Sequence, residues 1–468
     1  MRTTRGIAFL MTSLCALAMS ALAASNPVPL IYQPLSPTSV VPGHPAFTMT
    51  VHGTGFVSGA IVKANGIALK TKFVNASTLQ ASVPAQSVTK PTTATITVAN
   101  PGSIDSNVIY FTVRWPSKTV EVATDAAVIE GGLLNVGDFN NDHKPDLAVI
   151  NNNPGPFYVS TYLDAAGAAF NQIAGPTYLT NVLYTPFMVA DFNGDGNLDV
   201  APCGGDGGPD PTICNIYFGD GKGNLTEGAR GQWVYPGVMA DMNGDGILDN
   251  IGVWGDGYQT YLSIYLGNGD GTYTFASTVV TSVAGFPVVA DVNGDGKLDV
   301  VTSVEGHVEP GPGTVAVFLG NGDGTTQNEV DYQTPWGGDQ VAVGDLNGDG
   351  VLDIVTAGFS VLLGKGDGTF SVGMSLRTDG WAAPVQLADI DGDGKLDVIG
   401  YGANSSGSPV LDVLLGNGDG TFQAPISLSV PATEFDTLGV ADFNGDGRLD
   451  FAVGGQSQNM VLLQTPSK

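Results

Sequence analysis

The sequence predicts an all-β chain: a seven-bladed β-propeller over residues 118–468, preceded by a small β-sandwich over residues 27–114. Three observations carry this. A nonapeptide rich in side-chain oxygens occurs seven times, and the copies start at 138, 191, 241, 291, 345, 389 and 442. Short apolar runs flank each copy, and an alternating segment with a second glycine-rich turn follows. A period near fifty residues signals a propeller, solenoid or array, and four short strands per repeat fit a propeller blade.

The nonapeptide sets the chemistry. In residues 191–199 (DFNGDGNLD), side-chain oxygens stand at positions 1, 3, 5 and 9: Asp191, Asn193, Asp195 and Asp199. Hard cations such as calcium take six to eight oxygen ligands, and carboxylates on alternating residues of a tight loop converge on one ion. Gly196 at position 6 suits the sharp reversal, because glycine adopts positive φ at least cost.

The same set recurs as Asp241, Asn243, Asp245, Asp249 and as Asp291, Asn293, Asp295, Asp299. Further copies are Asp345, Asn347, Asp349, Asp353, then Asp389, Asp391, Asp393, Asp397, then Asp442, Asn444, Asp446, Asp450. A weaker first copy offers Asp138, Asn140, Asp142 and Asp146, with Asn141 at position 4, His143 in the glycine position and Pro145 beside Asp146. His143 is expected to bear an unfavourable backbone angle there. An EF-hand requires a bidentate glutamate at position 12. That position holds Val149, Pro202, Gly252, Thr302, Thr356, Gly400 and Val453, which excludes a helix–loop–helix hand.

Around each loop the pattern is strand, cation loop, strand, strand, Gly-Asp-Gly turn, strand. Residues 286–290 (FPVVA) precede the loop at 291, residues 314–320 (TVAVFLG) follow it, and Asn321-Gly322-Asp323-Gly324-Thr325 makes the turn. Asp-Gly between β-formers is a strong hairpin signal. Gly267, Gly269 and Gly271 belong to such a turn rather than to a dinucleotide loop. These units resemble the FG-GAP/VCBS-type repeats of integrin-α-like propellers, and the resemblance covers residues 118–468. Calcium is expected in the loops, and a recognition or adhesion role is expected for the chain, although fold-level analogy alone says little about adhesion.

The last unit runs out of chain before its fourth strand. Residues 118–123 (KTVEVA) stand before the first unit and are expected to supply that strand, since an open sheet edge is generally covered or paired. Cys203 and Cys214 flank a hairpin in one unit; a disulfide between them is expected in an exported protein, two free thiols being the alternative.

Residues 1–23 read as a secretory signal: Arg2 and Arg5, an apolar run over residues 7–18, and Ala21-Leu22-Ala23 as cleavage site. The run is shorter than a membrane span. Leu14 before Cys15 is too bulky for a lipidation site. Export to the outside or the cell surface is expected, with no transmembrane segment. Residues 27–114 alternate short apolar strands, such as residues 47–51 (FTMTV) and 94–98 (ATITV), with Pro/Gly turns. They suggest a β-sandwich and resemble the IPT/TIG family of immunoglobulin-like domains, which implies a spacer or stabilising module.

The formal net charge is −28, from 45 acidic and 17 basic residues. Three acids lie in each of six loops and four in the loop at 389, so divalent ions would offset much of that excess. No basic patch offers itself to nucleic acid. His44, His52, His143 and His307 show no catalytic partner pattern, and no G-x-S-x-G elbow is present, so no enzyme is expected. In a meander the cation loops occupy one face. Trp233, Trp336 and Trp381 precede loops and Trp254 ends a strand, which places all four on the opposite face. Exposed aromatics suit sugar stacking or protein hot spots; packing between neighbouring blades is the plainer alternative. The expected partner is a carbohydrate or protein bound on that opposite face. A polysaccharide-acting lyase or hydrolase, or a surface module without a discrete ligand, are the alternatives.

Overall fold

Short strands of β-branched and small apolar residues build the molecule, because such residues fit a pleated, half-buried surface. The computed structural model describes residues 28–465 apart from 33, 118, 124–126, 152–156, 164–169, 179–186, 205–212, 229–231, 234, 256–257, 306–311, 377–383, 404–407, 431–436 and 456–457. The helical element among the described residues is a single 3-10 turn, Ala85–Val88. No helix there is long and apolar enough to cross a membrane.

The N-terminal unit is two sheets on one core. Leu30–Ile31, Phe47–Thr54, Thr78–Val83 and Lys70–Asn75 form the first sheet. Ser39–Val40, Ile109–Val113, Thr92–Ala99, Ile61–Ala64 and Ile67–Ala68 form the second, with Ser39–Val40 parallel to its neighbour. Alternation sends Met49, Val51, Leu79, Ala81, Ile96, Val98 and Phe111 inward, where they pack into one cluster.

From residue 127 the chain is a propeller-like series of four-stranded antiparallel sheets, seven among the described residues. Six of them run in chain order, as in Val288–Ala290, Asp299–Glu305, Gly313–Phe318 and Val330–Thr334. The nonapeptide joins the first strand to the second in every sheet. First strands neighbour one another: Gly237–Ala240 meets Val288–Ala290, which meets Val341–Gly344, then Val385–Ala388, then Thr437–Ala441, and the last of these touches Leu133–Gly137. Between sheets, apolar faces interlock; Ala240, Ile251 and Ile264 of one pack with Val289, Val300 and Phe318 of the next. The second sheet is split. Asp199–Ala201 pairs with Tyr217–Gly219, while Cys203–Gly204, Ile213–Cys214 and Gln232–Trp233 form a separate three-stranded sheet. Pro202 stands at the break, where it has no N–H to give the ladder.

The sheet built by the last three strands takes its fourth from far upstream, but not where the alternation of residues 118–123 placed it. The pairing strand is Ala127–Glu130, with Ala127 opposite Val461 and Glu130 opposite Gln458. The earlier segment contributes only an isolated bridge, Val122 to Gln464, with the Ala123 amide donating to Leu463 at 2.8 Å and the Thr465 amide to Glu121 at 2.9 Å. The register is set by the strand to be covered: Gln458–Leu462 needs its partner opposite itself, and residues 121–123 lie opposite the tail beyond it.

The N-terminal unit sits on the nonapeptide loops. Ser77 Oγ donates to Asp291 at 2.8 Å, Ser39 Oγ and Thr93 Oγ1 donate to Asp389 and Asp442, and the Asp241 amide donates to Thr54 Oγ1 at 3.2 Å. Ile104 lies against Gly196. Between this unit and the innermost strands is a cavity of about 560 Å³, bordered by Tyr32, Asn107, Asn135, Val341 and Gln386.

Deleting residues 127–130 uncovers the edge of Gln458–Leu462 and is expected to lower the melting temperature by on the order of 10 °C and to promote self-association through that edge. Thermal denaturation and size-exclusion chromatography read the two effects; a deletion that changes neither removes the closing role from this strand.

Candidate metal centre

Each loop is folded by its own carboxylates. In residues 191–199 the Asp191 side chain accepts from the amides of Gly194 (2.8 Å), Asp195 (3.0 Å) and Gly196 (2.7 Å). Asn193 Oδ1 accepts from the Asp195 amide and Asp195 Oδ1 from the Asn197 amide, each at 2.9 Å. The loops at 241, 291, 345, 389 and 442 repeat the scheme. The chain can wrap this tightly only with positive φ at both position 4 and position 6, as at Gly194 (+74°) and Gly196 (+89°). Sequence reading asked for glycine only at the second of these. In the first loop Asn141 (+59°) and His143 (+65°) take those angles, as the sequence led us to expect for His143. That loop still closes, with the His143 amide on Asp138 at 2.8 Å.

Position 9 is the deepest. Asp146, Asp199, Asp249, Asp299, Asp353, Asp397 and Asp450 are each 0% exposed. One oxygen accepts from the amide at position 2, as Asp299 does from Val292 at 2.9 Å. Among the described residues, the other accepts from the amide at or just past the end of the third strand: Gly219, Gly267, Gly320, Gly364, Gly416 and Gln464. Position 9 therefore joins two loops of the same sheet, a role that its place in the motif does not reveal. Position 5 lies nearest solvent; Asp195, Asp245, Asp295, Asp349 and Asp446 are exposed.

Burial dominates the electrostatics. It pushes Asp199 and Asp450 up to about 8 and Asp249 and Asp299 up to about 7, with nearby carboxylates adding to the shift and backbone amides opposing it. Asp353 rises to about 6 for the same reasons, and Asp397 rises well above the usual range. The aspartates of the Gly-Asp-Gly turns behave oppositely. Asp270, Asp323, Asp367 and Asp419 are held low by the hydroxyl and amide of the threonine two residues on. These belong to turns; the aspartates at position 9 are fully buried acids whose charged form burial disfavours.

Such acids suit a hard cation. Oxygens of Asp389, Asp391 and Asp397 lie within 4.8 Å of one another, all three residues buried. Ligands on opposite sides of a calcium ion stand about 4.6–5.2 Å apart, so these three fit one coordination shell. Asp393 faces outward onto Lys395 at 2.9 Å.

The aromatic candidates divide. Trp254 is filled on both faces, by Tyr235 (centroids 4.9 Å apart, 4° between planes) and Tyr261 (4.6 Å, 26°), while its indole nitrogen donates to Ser263 at 2.9 Å. A ring sandwiched in this way offers no face to a sugar, so Trp254 is a packing residue. Trp336 is half-buried between two sheets, and its carbonyl accepts from Thr334, Thr356 and Ser360. Gln232–Trp233 pairs with Ile213–Cys214 beside a disulfide between Cys203 and Cys214, whose Cα atoms are 4.1 Å apart. Trp381 lies outside the described residues.

Residues 138–201, 241–302, 291–356 and 401–453 match the model of the FG-GAP-like repeat family. The chain carries FG-GAP-like repeats. The matched spans contain the nonapeptides that start at 138, 191, 241, 291, 345 and 442 and leave out the one at 389. No curated protein matches the chain. Among solved structures it is similar to an exotype rhamnogalacturonan lyase, at 15% identity over 92% of this chain and 72% of that one, with a TM-score of 0.31. It is also similar to an auxiliary nutrient binding protein from Bacteroides ovatus, at 12% identity over 93% and 98% of the two chains, with a TM-score of 0.36. Superpositions this loose carry no functional argument.

Two predictions follow from the loops. Raised carboxylate pKa values mean that the ion-free fold is most stable when these groups are protonated, below about pH 4, and loses that stability as pH rises through about 6 to 8. In EDTA the melting temperature is therefore expected to fall between pH 5 and pH 8.5 by on the order of 10 °C, and saturating calcium is expected to abolish the slope. A flat profile in EDTA contradicts the burial of charge described here. Backbone strain can be read separately. Gly350 has open space around its Cα but φ +83°, so Gly350→Ala should cost about 1 kcal/mol from backbone angle alone. His143→Gly should gain a similar amount, about 1 kcal/mol in chemical denaturation.

Proposed function

We propose that this is an exported, calcium-binding recognition or adhesion protein without enzymatic activity of its own. In this reading the seven four-stranded sheets are the blades of one FG-GAP propeller, closed by Ala127–Glu130, and the N-terminal unit is an immunoglobulin-like domain of IPT/TIG type. Calcium in the nonapeptides stabilises the blades, since an ion bound only by the folded form adds stability as its concentration rises. The ligand, a carbohydrate or a protein, binds on the face away from the loops.

The seat of the N-terminal unit supports this reading most strongly. Its hydroxyls occupy the aspartates at 291, 389 and 442, and Ile104 covers Gly196, so much of the loop face is spent on an intramolecular contact. The opposite face, reached by the connections from second to third and from fourth to first strands, is the one left for a partner. Trp336 lies on such a connection, after Val330–Thr334 and before Val341–Gly344.

Probing the full chain against a glycan array and a panel of extracellular-matrix proteins, in calcium and in EDTA, tests the proposal. Binding is expected in calcium, weakened about tenfold or more by Trp336→Ala, a loss typical of a central aromatic contact. Trp254→Ala is expected to lower stability instead, with affinity retained in the folded fraction. Binding that survives Trp336→Ala unchanged would take the ligand off that connection.

A further inference from the structure

Six of the seven nonapeptides have asparagine at position 3; the copy at 389 alone has a carboxylate there, Asp391. That copy is also the one on which Arg114 rests. Arg114 follows the strand Ile109–Val113 of the N-terminal unit, and its amide donates to Val40 at 3.0 Å. The side chain lies against Gly392 and the residue is 5% exposed. Both terminal guanidinium nitrogens are buried without a hydrogen-bond partner. Burial disfavours its charge, the carboxylates of Asp389, Asp391 and Asp446 favour it, and Arg448 repels it. A guanidinium does not shed its proton, so in a buried position it must be offset by nearby negative charge.

The charge count matches the exception in the motif. Three carboxylates around one divalent ion leave a single negative charge, which is the balance of the ordinary loops. Four carboxylates around the same ion, with one guanidinium beside them, leave the same charge. At Asp391 the extra acid also displaces an asparagine amide, which in two other loops bonds to position 5, from Asn193 to Asp195 at 3.1 Å and from Asn243 to Asp245 at 2.9 Å. Position 5 here pairs with Lys395 at 2.9 Å, as the cations at position 7 do in the loops at 138, 291 and 442.

We infer that Asp391 serves as counter-charge for Arg114 as well as ligand in its own loop, and that this one loop couples ion loading to the seating of the N-terminal unit. The inference rests on the cation reading proposed above. The ion and Arg114 repel each other across the carboxylates they share, so by linkage each weakens the hold of the other, and Asp391 limits that conflict. Thr38 and Ser39, both on Asp389, belong to the same contact.

The test uses the full chain as wild type, Asp391→Asn, Arg114→Gln and the double variant, each melted in saturating calcium and in EDTA. Asp391→Asn is expected to lower the melting temperature in calcium by about 5 °C, and Arg114→Gln on top of it to restore most of the loss. Additive effects in both conditions overturn the pairing. Should Asp391→Asn not fold, Arg114→Gln carries the test: the stabilisation it draws from calcium is expected to exceed that of wild type, and an equal gain overturns the coupling. Calorimetry of calcium against wild type keeps the two readings apart. Absence of binding there defeats the cation reading, whereas pairing between the charges in EDTA stands or falls on its own.

Discussion

The fold depends on a carboxylate that has been taken out of water. At position 9 of each nonapeptide an aspartate with no exposed surface accepts an amide from its own loop and, in six copies among the described residues, a second from at or just past the end of the third strand. A single side chain thus fastens two of the connections at one end of a sheet. Asparagine cannot replace it without presenting an NH2 to one of two donors. Leaving that charge buried without a partner is costly, and the cost is met by a proton or a cation. The buried charge and the geometry of the sheet therefore arise from the same residue. This is also why the motif tolerates almost anything at positions 2 and 7 but keeps Asp at 1, 5 and 9 in all seven copies.

The repeat was legible because its chemistry is local. Two left-handed glycines, alternating oxygens and a buried aspartate all fall within nine residues, and the Gly-Asp-Gly turns that follow declare their hairpins just as locally. The disulfide was legible for the same reason, since Cys203 and Cys214 face each other across one short strand pair. What depends on distant partners was not. The closing strand was placed a few residues too early, because alternation in residues 118–123 carries no information about where Gln458–Leu462 ends. Trp254 resembled an exposed platform until Tyr235, nineteen positions upstream, and Tyr261 were seen on its two faces. Position 9 looked like one ligand among several, because the amide that it holds lies 11 to 21 residues away.

The place of the N-terminal unit was equally hidden. Nothing in Ser39, Ser77 or Thr93 marks them as contacts; each is an ordinary strand or turn hydroxyl. They matter because the loop face is a set of carboxylates with acceptor capacity left over after the amides are satisfied, and hydroxyls are neutral donors that do not compete with an ion for charge. Arg114 is the exception: it brings a charge of its own, and the loop beneath it differs from the other six in the one residue that can answer that charge.

This asymmetry bears on the choice of face. A meander puts first-to-second and third-to-fourth connections at one end and the remaining two kinds at the other. The first end here is constrained twice over, by the carboxylates that must wrap each loop and by the unit resting on them. A residue changed at that end disturbs the loop, the sheet or the docked unit. At the other end the connections answer to neither constraint, and they vary in length while the nonapeptides do not: the loop start points are separated by 44 to 54 residues around a motif of fixed size. Binding surfaces arise where sequence is free to change on a rigid support. By that argument the end away from the nonapeptides is the one whose sequence is free to change.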